Sequence, residues 1–545
     1  MSISIGIKVI ATATLLACLA GMGAQAPEIS AQRIRAHVKF LSSDLLEGRG
    51  PGTRGDELAT EYIATQFALA GLKPAGDHGT YFQQVPLIGV ETQAGAQLAA
   101  MKDGRTIDFK WSDEFVGVNE QLKPEDRFEA EAIFVGHGIM APEFQWSDFK
   151  DVDVRGKVLV LFTNEPASSD PKFFGGRALT YYGRWTYKYA EATRKGAVGV
   201  IIIHTTPTAG YGWDVVRNSW SREQPYVKLS PGEHALSLAG WATGEAGEKL
   251  LSMSGRHVEE LLKFADARDF RPVPLGIKIR CNLPTKVREI RTRNVAGLVE
   301  GSDPKLKSEV VIYSAHWDHL GIGTPVDGDN IYNGAVDNAT GSGILLELAR
   351  AWAAQPAKPR RSALFLSVTA EEGGLRGSEY YAQHPEIPAG KTALAINYDG
   401  LFPFGRTRDM VLNGAERTTA WPVVEAVSKR MGLKIDADQR PEQGHYYRSD
   451  HFAFAHVGIP AFTVEEGDDF IGKPKGFGSK AFEQYNDLHY HRPSDEFQES
   501  WDFSGLAEMA RFGFLVGIEV ANQNQLPTWR AGDEFLSARE KSGVK

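Results

Sequence analysis

Val310-Val311-Ile312-Tyr313-Ser314-Ala315-His316-Trp317-Asp318-His319 decides the fold. Its apolar run leaves neither alternate face polar, the pattern of a parallel strand covered by helices on both sides. Ala363-Val368, Leu394-Ile396 and Ala461-Val464 repeat the pattern, each followed by a helical segment. The chain after Arg293 therefore reads as an α/β domain. In open α/β sheets ligands bind at the carboxyl ends of the strands, and His316 sits at such an end.

Working outward, apolar residues recur at helical spacing from Ser30 to Leu72, interrupted by Glu47-Gly48-Arg49-Gly50-Pro51-Gly52, which predicts two helices and a loop. From about Arg127 the texture turns to strand-like runs, Ala132-Val135, Val158-Phe162 and Val198-Ile203. A period-two segment closes this region, with Leu275, Ile277, Ile279, Cys281 and Leu283 on one face, so Cys281 reads as a packed thiol. The expected organisation is a catalytic domain from 27–125 and 288–530, a β-rich insert at 126–287, and a polar C-terminal tail at 531–545.

At roughly 150 residues per domain, 545 residues allow three or four units or one large domain with an insertion. Apolar residues are 42 %, charged 24 % and aromatic 10 %, which excludes disordered, collagen-like and coiled-coil classes. The net charge is -9 and no basic run is longer than Arg360-Arg361, so no nucleic-acid partner is expected. Residues 1–26 carry Lys8 as their only charge, an apolar stretch from Val9 to Ala20 and the small-residue end Ala24-Gln25-Ala26, which reads as a signal peptide. Leu15-Leu16-Ala17-Cys18 offers a second reading, a lipoprotein signal with Cys18 lipidated. Either way the expected destination is periplasmic or secreted, with no transmembrane segment in the mature chain. Oligomeric state stays open.

The chemistry-bearing residues gather after the strands. His316, Asp318 and His319 follow the first run, Asp337 precedes the helix Ile344-Ala353, Glu371-Glu372 and Asp399 follow two further runs, and His489-Tyr490-His491 with Asp495 stands in a late loop. Singly, each has a bland explanation: a strand-end histidine is usually hydrogen-bonded structure, and an aspartate before a helix is usually a cap. Jointly, imidazoles with several carboxylates suit a borderline divalent cation, zinc first, with manganese or cobalt as alternatives. Two ions about 3.5–4 Å apart need more than three ligands, usually with a shared carboxylate. In Glu371-Glu372 one carboxylate can bind metal while its neighbour takes a proton. A serine nucleophile is excluded, because Gly341-Ser342-Gly343 lacks the required spacing.

These residues, with Glu47-Gly48-Arg49, Gly52-Thr53, Arg448-Ser449-Asp450-His451, Gly458-Ile459-Pro460, Tyr490-His491 and Asp495, make the chain resemble the co-catalytic dizinc exopeptidases. That family includes secreted bacterial aminopeptidases, glutamate carboxypeptidase and the inactive transferrin receptor. Gly156-Lys157-Val158 and Lys195-Gly196-Ala197 make the insert resemble a protease-associated domain. The resemblance implies a mixed, mainly parallel sheet with helices on both faces, and two Zn2+ ions. It assigns His316 and Asp399 to one ion, Glu372 and His491 to the other, and Asp337 to both. It makes Glu371 the general base, Asp318 the carboxylate orienting His316, and Arg448 and Tyr490 substrate contacts; a cis peptide is implied after Asp337. His319 and His489 match no ligand position and are left a supporting role.

The implied activity is removal of N-terminal residues from peptide substrates by a metal-activated water, with no covalent intermediate. A carboxypeptidase or dipeptidase is the nearer alternative, with Arg406 and Arg408 as candidate partners of a substrate carboxylate. A glutaminyl cyclase or a non-catalytic scaffold is the remoter one.

Overall fold

In a computed structural model of the chain, residues 27–150, 152–230 and 232–544 are described. The expected signal peptide, with Cys18, lies outside the described residues.

Val310–His316 forms a strand inside the first sheet. It pairs in parallel with Ser362–Val368 and Thr392–Asn397, and Ala461–Thr463 extends the parallel set. Antiparallel pairing enters where Val295–Val299 meets Ser362–Val368. Successive side chains of a strand point to opposite faces, and the two cores follow from that. Val311, Tyr313 and Ala315 pack with residues of the helices Ala31–Leu41, Arg54–Leu69, Thr340–Ala353 and Ser504–Asn522. Val310 and Ile312 pack on the other face with Tyr381 and Phe454, from Arg376–Gln383 and His451–His456. Each such aliphatic side chain contributes about 1.5–3 kcal/mol when fully buried, and buried polar residues of these strands are paired, as Ser314 is with Asn397.

A single 27-residue strand, Val273–Val299, joins this sheet to a second one. Its first half pairs with Gln97–Lys102 and Glu125–Phe134, its second half with Phe82–Thr92. The second sheet continues through Val158–Phe162, Gly199–His204 and Leu238–Thr243 to Phe115–Val118. It thus draws on residues 97–118, which the sequence reading gave to the catalytic domain, and the boundary at 287 falls inside one unbroken strand. The reason is physical: the alternation that makes 275–283 a half-buried strand continues while the pairing partners change. Leu275, Ile277, Ile279, Cys281 and Leu283 all enter one core, and burial pushes the Cys281 thiol far up.

The segment 531–545 reads from its composition as a polar tail, but its described residues, 531–544, pack instead. Leu536–Lys541 is helical, and the fully buried Arg539 donates to the carbonyls of Ala389, Thr392 and Pro527. Phe535 joins the core beside Trp529. No helix among the described residues is long and apolar enough to cross a membrane.

Candidate metal centre

His316 ends its strand, and the chain turns at once into Trp317-Asp318-His319. Asp337 lies in the turn before Thr340–Ala353, where the Asp337–Asn338 peptide is cis. Glu371 and Glu372 follow Ser362–Val368, Asp399 follows Thr392–Asn397, and His491, at φ 55°, follows Phe477–Leu488. The carboxyl ends of parallel strands thus converge with two loops on one point.

There Asp337 stands between two imidazoles. His316 Nε2 is 3.3 Å from Asp337 Oδ1 and 3.2 Å from Asp399 Oδ1. His491 Nε2 is 3.5 Å from Asp337 Oδ2 and 3.0 Å from Glu372 Oε2. One carboxylate therefore offers an oxygen to each side, as a bridging ligand must. Single donor atoms of His316, Asp337 and Asp399 lie within 4.8 Å of one another, and so do those of His319, Asp337 and Glu372.

His319, left a supporting role by the sequence, reaches the same point. It is fully buried, and its Nδ1 lies 2.5 Å from Glu372 Oε1. The contact is close but not aligned as a hydrogen bond: both ring nitrogens, Glu372 Oε1 and the buried Asp318 Oδ2 lack hydrogen-bond partners among the described residues. Orphaned polar atoms are costly in a protein interior. Imidazoles and carboxylates that converge with atoms left over fit divalent cations, and zinc in particular accepts this nitrogen and oxygen set.

Charge follows the same geometry. Burial would push the Glu372 carboxyl up, yet His491 and His319 hold it well below the usual range. Burial and Glu372 act likewise on Asp337, where His316 and His491 prevail and its pKa falls. Glu371 goes the other way: burial, with Asp399, Glu372 and Asp450 nearby, raises it well above an ordinary carboxyl. The adjacent glutamates are thus driven apart, the pattern expected of a ligand and a proton carrier.

Support for the ligands departs from expectation in one respect. The Nδ1–H of His316 faces the Asp318 backbone carbonyl at 3.1 Å, whereas the Asp318 carboxylate is 3.7 Å away and accepts from the Glu371 backbone N–H at 3.2 Å. Asp318 therefore orients the histidine through its carbonyl and fixes Glu371 through its side chain. Ser449 Oγ donates to Asp399 Oδ2, and Asp495 accepts from the backbone N–H of Val336 and Asp337. Ser219 Oγ pairs with His491 Nδ1 at 2.8 Å, and Asn218 donates to the His491 carbonyl. Both come from the helix Trp213–Trp220. His489 faces Ser494 of its own loop instead.

The Glu47-Gly48-Arg49 motif also finds its place. The buried Arg49 guanidinium donates to the carbonyls of Trp317, Asn333 and Gly334, tying the His316 loop to the Asp337 loop. Gly48, at φ 68°, leaves no room for a Cβ, which would lie 2.5 Å from the Tyr332 carbonyl oxygen.

A cavity of about 490 Å³ opens beside the centre, lined by Glu371, Arg448, Tyr490 and His491 together with Arg184, Trp185 and Tyr211. Arg448 donates to the Tyr490 hydroxyl at 3.3 Å; Asp450 pairs with Ser378 instead. Arg406 and Arg408 pair with Glu508 and Asp469, with 56 % and 58 % of their side chains exposed, and neither lines this cavity.

A family model, Peptidase family M28, matches residues 294–512. Residues 294–512 are thus similar to peptidase family M28. The M28 unit holds every candidate ligand described above, together with Glu371, Arg448 and Tyr490. A probable leucine aminopeptidase 2 of Aspergillus oryzae is 28 % identical over 306 residues, 53 % of this chain and 57 % of that protein, so the chain spans little more than half of that relative. An aminopeptidase from Aneurinibacillus sp. strain AM-1 is similar in structure over 93 % of this chain and 97 % of its own, with a TM-score of 0.54 at 19 % identity. That likeness shows a common fold extending beyond the M28 unit. BSAP, a zinc aminopeptidase from Bacillus subtilis, overlaps 94 % of this chain and 98 % of its own, with a TM-score of 0.47 at 16 % identity.

Proposed function

We propose that the protein is a zinc-dependent aminopeptidase that removes N-terminal residues from peptides outside the cytoplasm, its insert serving as a protease-associated domain. The observation carrying this reading is Asp337 between two imidazole–carboxylate pairs, with Glu371 beside them, buried and held high. His316 and Asp399 would hold one zinc ion, Glu372 and His491 the other, and Asp337 both; His319 faces the second. Bound there, the ions supply Lewis acidity toward a water and the scissile carbonyl. Glu371 takes the proton of that water and delivers it to the leaving amine. Tyr490, whose hydroxyl accepts from Arg448, would donate to the oxygen on which charge develops. Glu371 and Asp399 would offer carboxyl oxygens near the centre to which a free α-ammonium can donate.

One observation favours a second reading. Neither Arg184 nor Arg448 makes an ion pair among the described residues, although both line the cavity, and guanidinium groups without a carboxylate partner suit the carboxylate of a short peptide. Arg406 and Arg408, already paired, give it no support. Blocking each terminus of one peptide separates the readings. N-acetylation should abolish hydrolysis while C-terminal amidation changes kcat/KM little; the reverse pattern would make the enzyme a carboxypeptidase.

A further inference from the structure

On the Asp399 side of the centre, a second cavity of about 180 Å³ gathers more carboxyl groups than hydrolysis requires. Asp337, Glu371 and Asp399 line it together with Glu465, Glu466 and Asp468, and the rings of Phe402, Phe470 and Phe482 form apolar wall. Glu466 decides its character. Its Oε1 accepts from the Phe402 backbone N–H at 2.7 Å, while Oε2 is buried with no hydrogen-bond partner among the described residues. Glu465, by contrast, is held by Asn413 and Thr463. Arg440 also lines the cavity, but its guanidinium lies over the Phe482 ring, 3.7 Å from the centroid, and pairs with none of these carboxylates.

We propose that this cavity receives the side chain of the substrate's N-terminal residue and selects a cationic one, lysine or arginine, with Glu466 as its counter-ion. The assignment rests on the aminopeptidase reading. An aromatic wall covers the methylene stem of such a side chain while its charged end reaches the carboxylates. A buried carboxylate oxygen without a partner is costly, and an arriving ammonium or guanidinium removes that cost. Burial, with Glu465 and Asp468 adding repulsion, pushes Glu466 up to about 8, and a cation seated beside it would bring it down.

The test is competitive binding of L-lysine hydroxamate and L-norleucine hydroxamate to the zinc-loaded protein. The two share the chelating head and the aliphatic chain and differ by the terminal ammonium. Lysine hydroxamate should bind tighter by about tenfold or more, and Glu466→Gln, which keeps the acceptor for Phe402, should close most of that gap. Equal affinities in the wild type would overturn the proposal without needing any variant. So would a gap that survives Glu466→Gln, or an equal loss for both ligands, which would move Glu466 to α-ammonium recognition. Binding is read without turnover, so a carboxypeptidase result in the blocked-peptide assays would overturn the aminopeptidase reading while a lysine gap still marked the cavity as a cation site.

Discussion

The two halves of the centre are built differently, although Asp337 serves both. The His316 half is assembled within the M28 unit: the ring is oriented by the Asp318 carbonyl two residues on, Ser342 holds the His316 carbonyl, and Ser449 holds Asp399. The His491 half is completed from outside it, by Ser219 and Asn218 of the inserted region, more than 270 residues earlier in the chain. A strand end rigidly fixes the first histidine, whereas a loop histidine needs a second surface to hold it. The helix Trp213–Trp220 is therefore a structural part of the centre as well as part of its cavity's lining.

Removing what the halves share should have the largest effect. Asp337→Ala is expected to abolish activity and to leave almost no bound zinc, read by elemental analysis; retention of full metal content would show that the halves are independent. Next comes Glu371→Gln, which should lower kcat by about 10²–10⁴ while both halves keep their metal. Loss of the metal instead would make Glu371 a ligand. Ser219→Ala probes the asymmetry itself. Losing the partner of a ligating histidine typically weakens metal binding by about 10–100-fold, so chelator titration should show one weakened zinc and one unchanged; two equally weakened ions would erase the distinction between the halves. The smallest effect is expected from Arg406→Ala with Arg408→Ala. Exposed ion pairs contribute about 0–1 kcal/mol, so kcat/KM for peptides with a free C-terminus should stay within about twofold.

Much of the His316 half is legible in the sequence, because a strand apolar on both faces and ending in a histidine carries its own signature, and Glu371, Glu372 and Asp399 follow strands of the same kind. The supports of His491 are not legible: Ser219 and Asn218 are common polar residues whose role arises only when a distant helix docks. The place of His319 is not legible either, because nothing local distinguishes a buried histidine facing Glu372 from one satisfied by a carbonyl. The insert boundary escaped for a related reason, since Val273–Val299 keeps one alternating pattern while exchanging one sheet for another. Arg539 shows the same limit, its charge masking burial that three distant carbonyls make tolerable.

The most direct measurement is zinc stoichiometry of the purified chain against activity during chelation and reconstitution. The account predicts two zinc ions per chain, loss of peptide hydrolysis as they are withdrawn, and recovery on their return. A chain free of divalent metal with activity undiminished by chelator would contradict it.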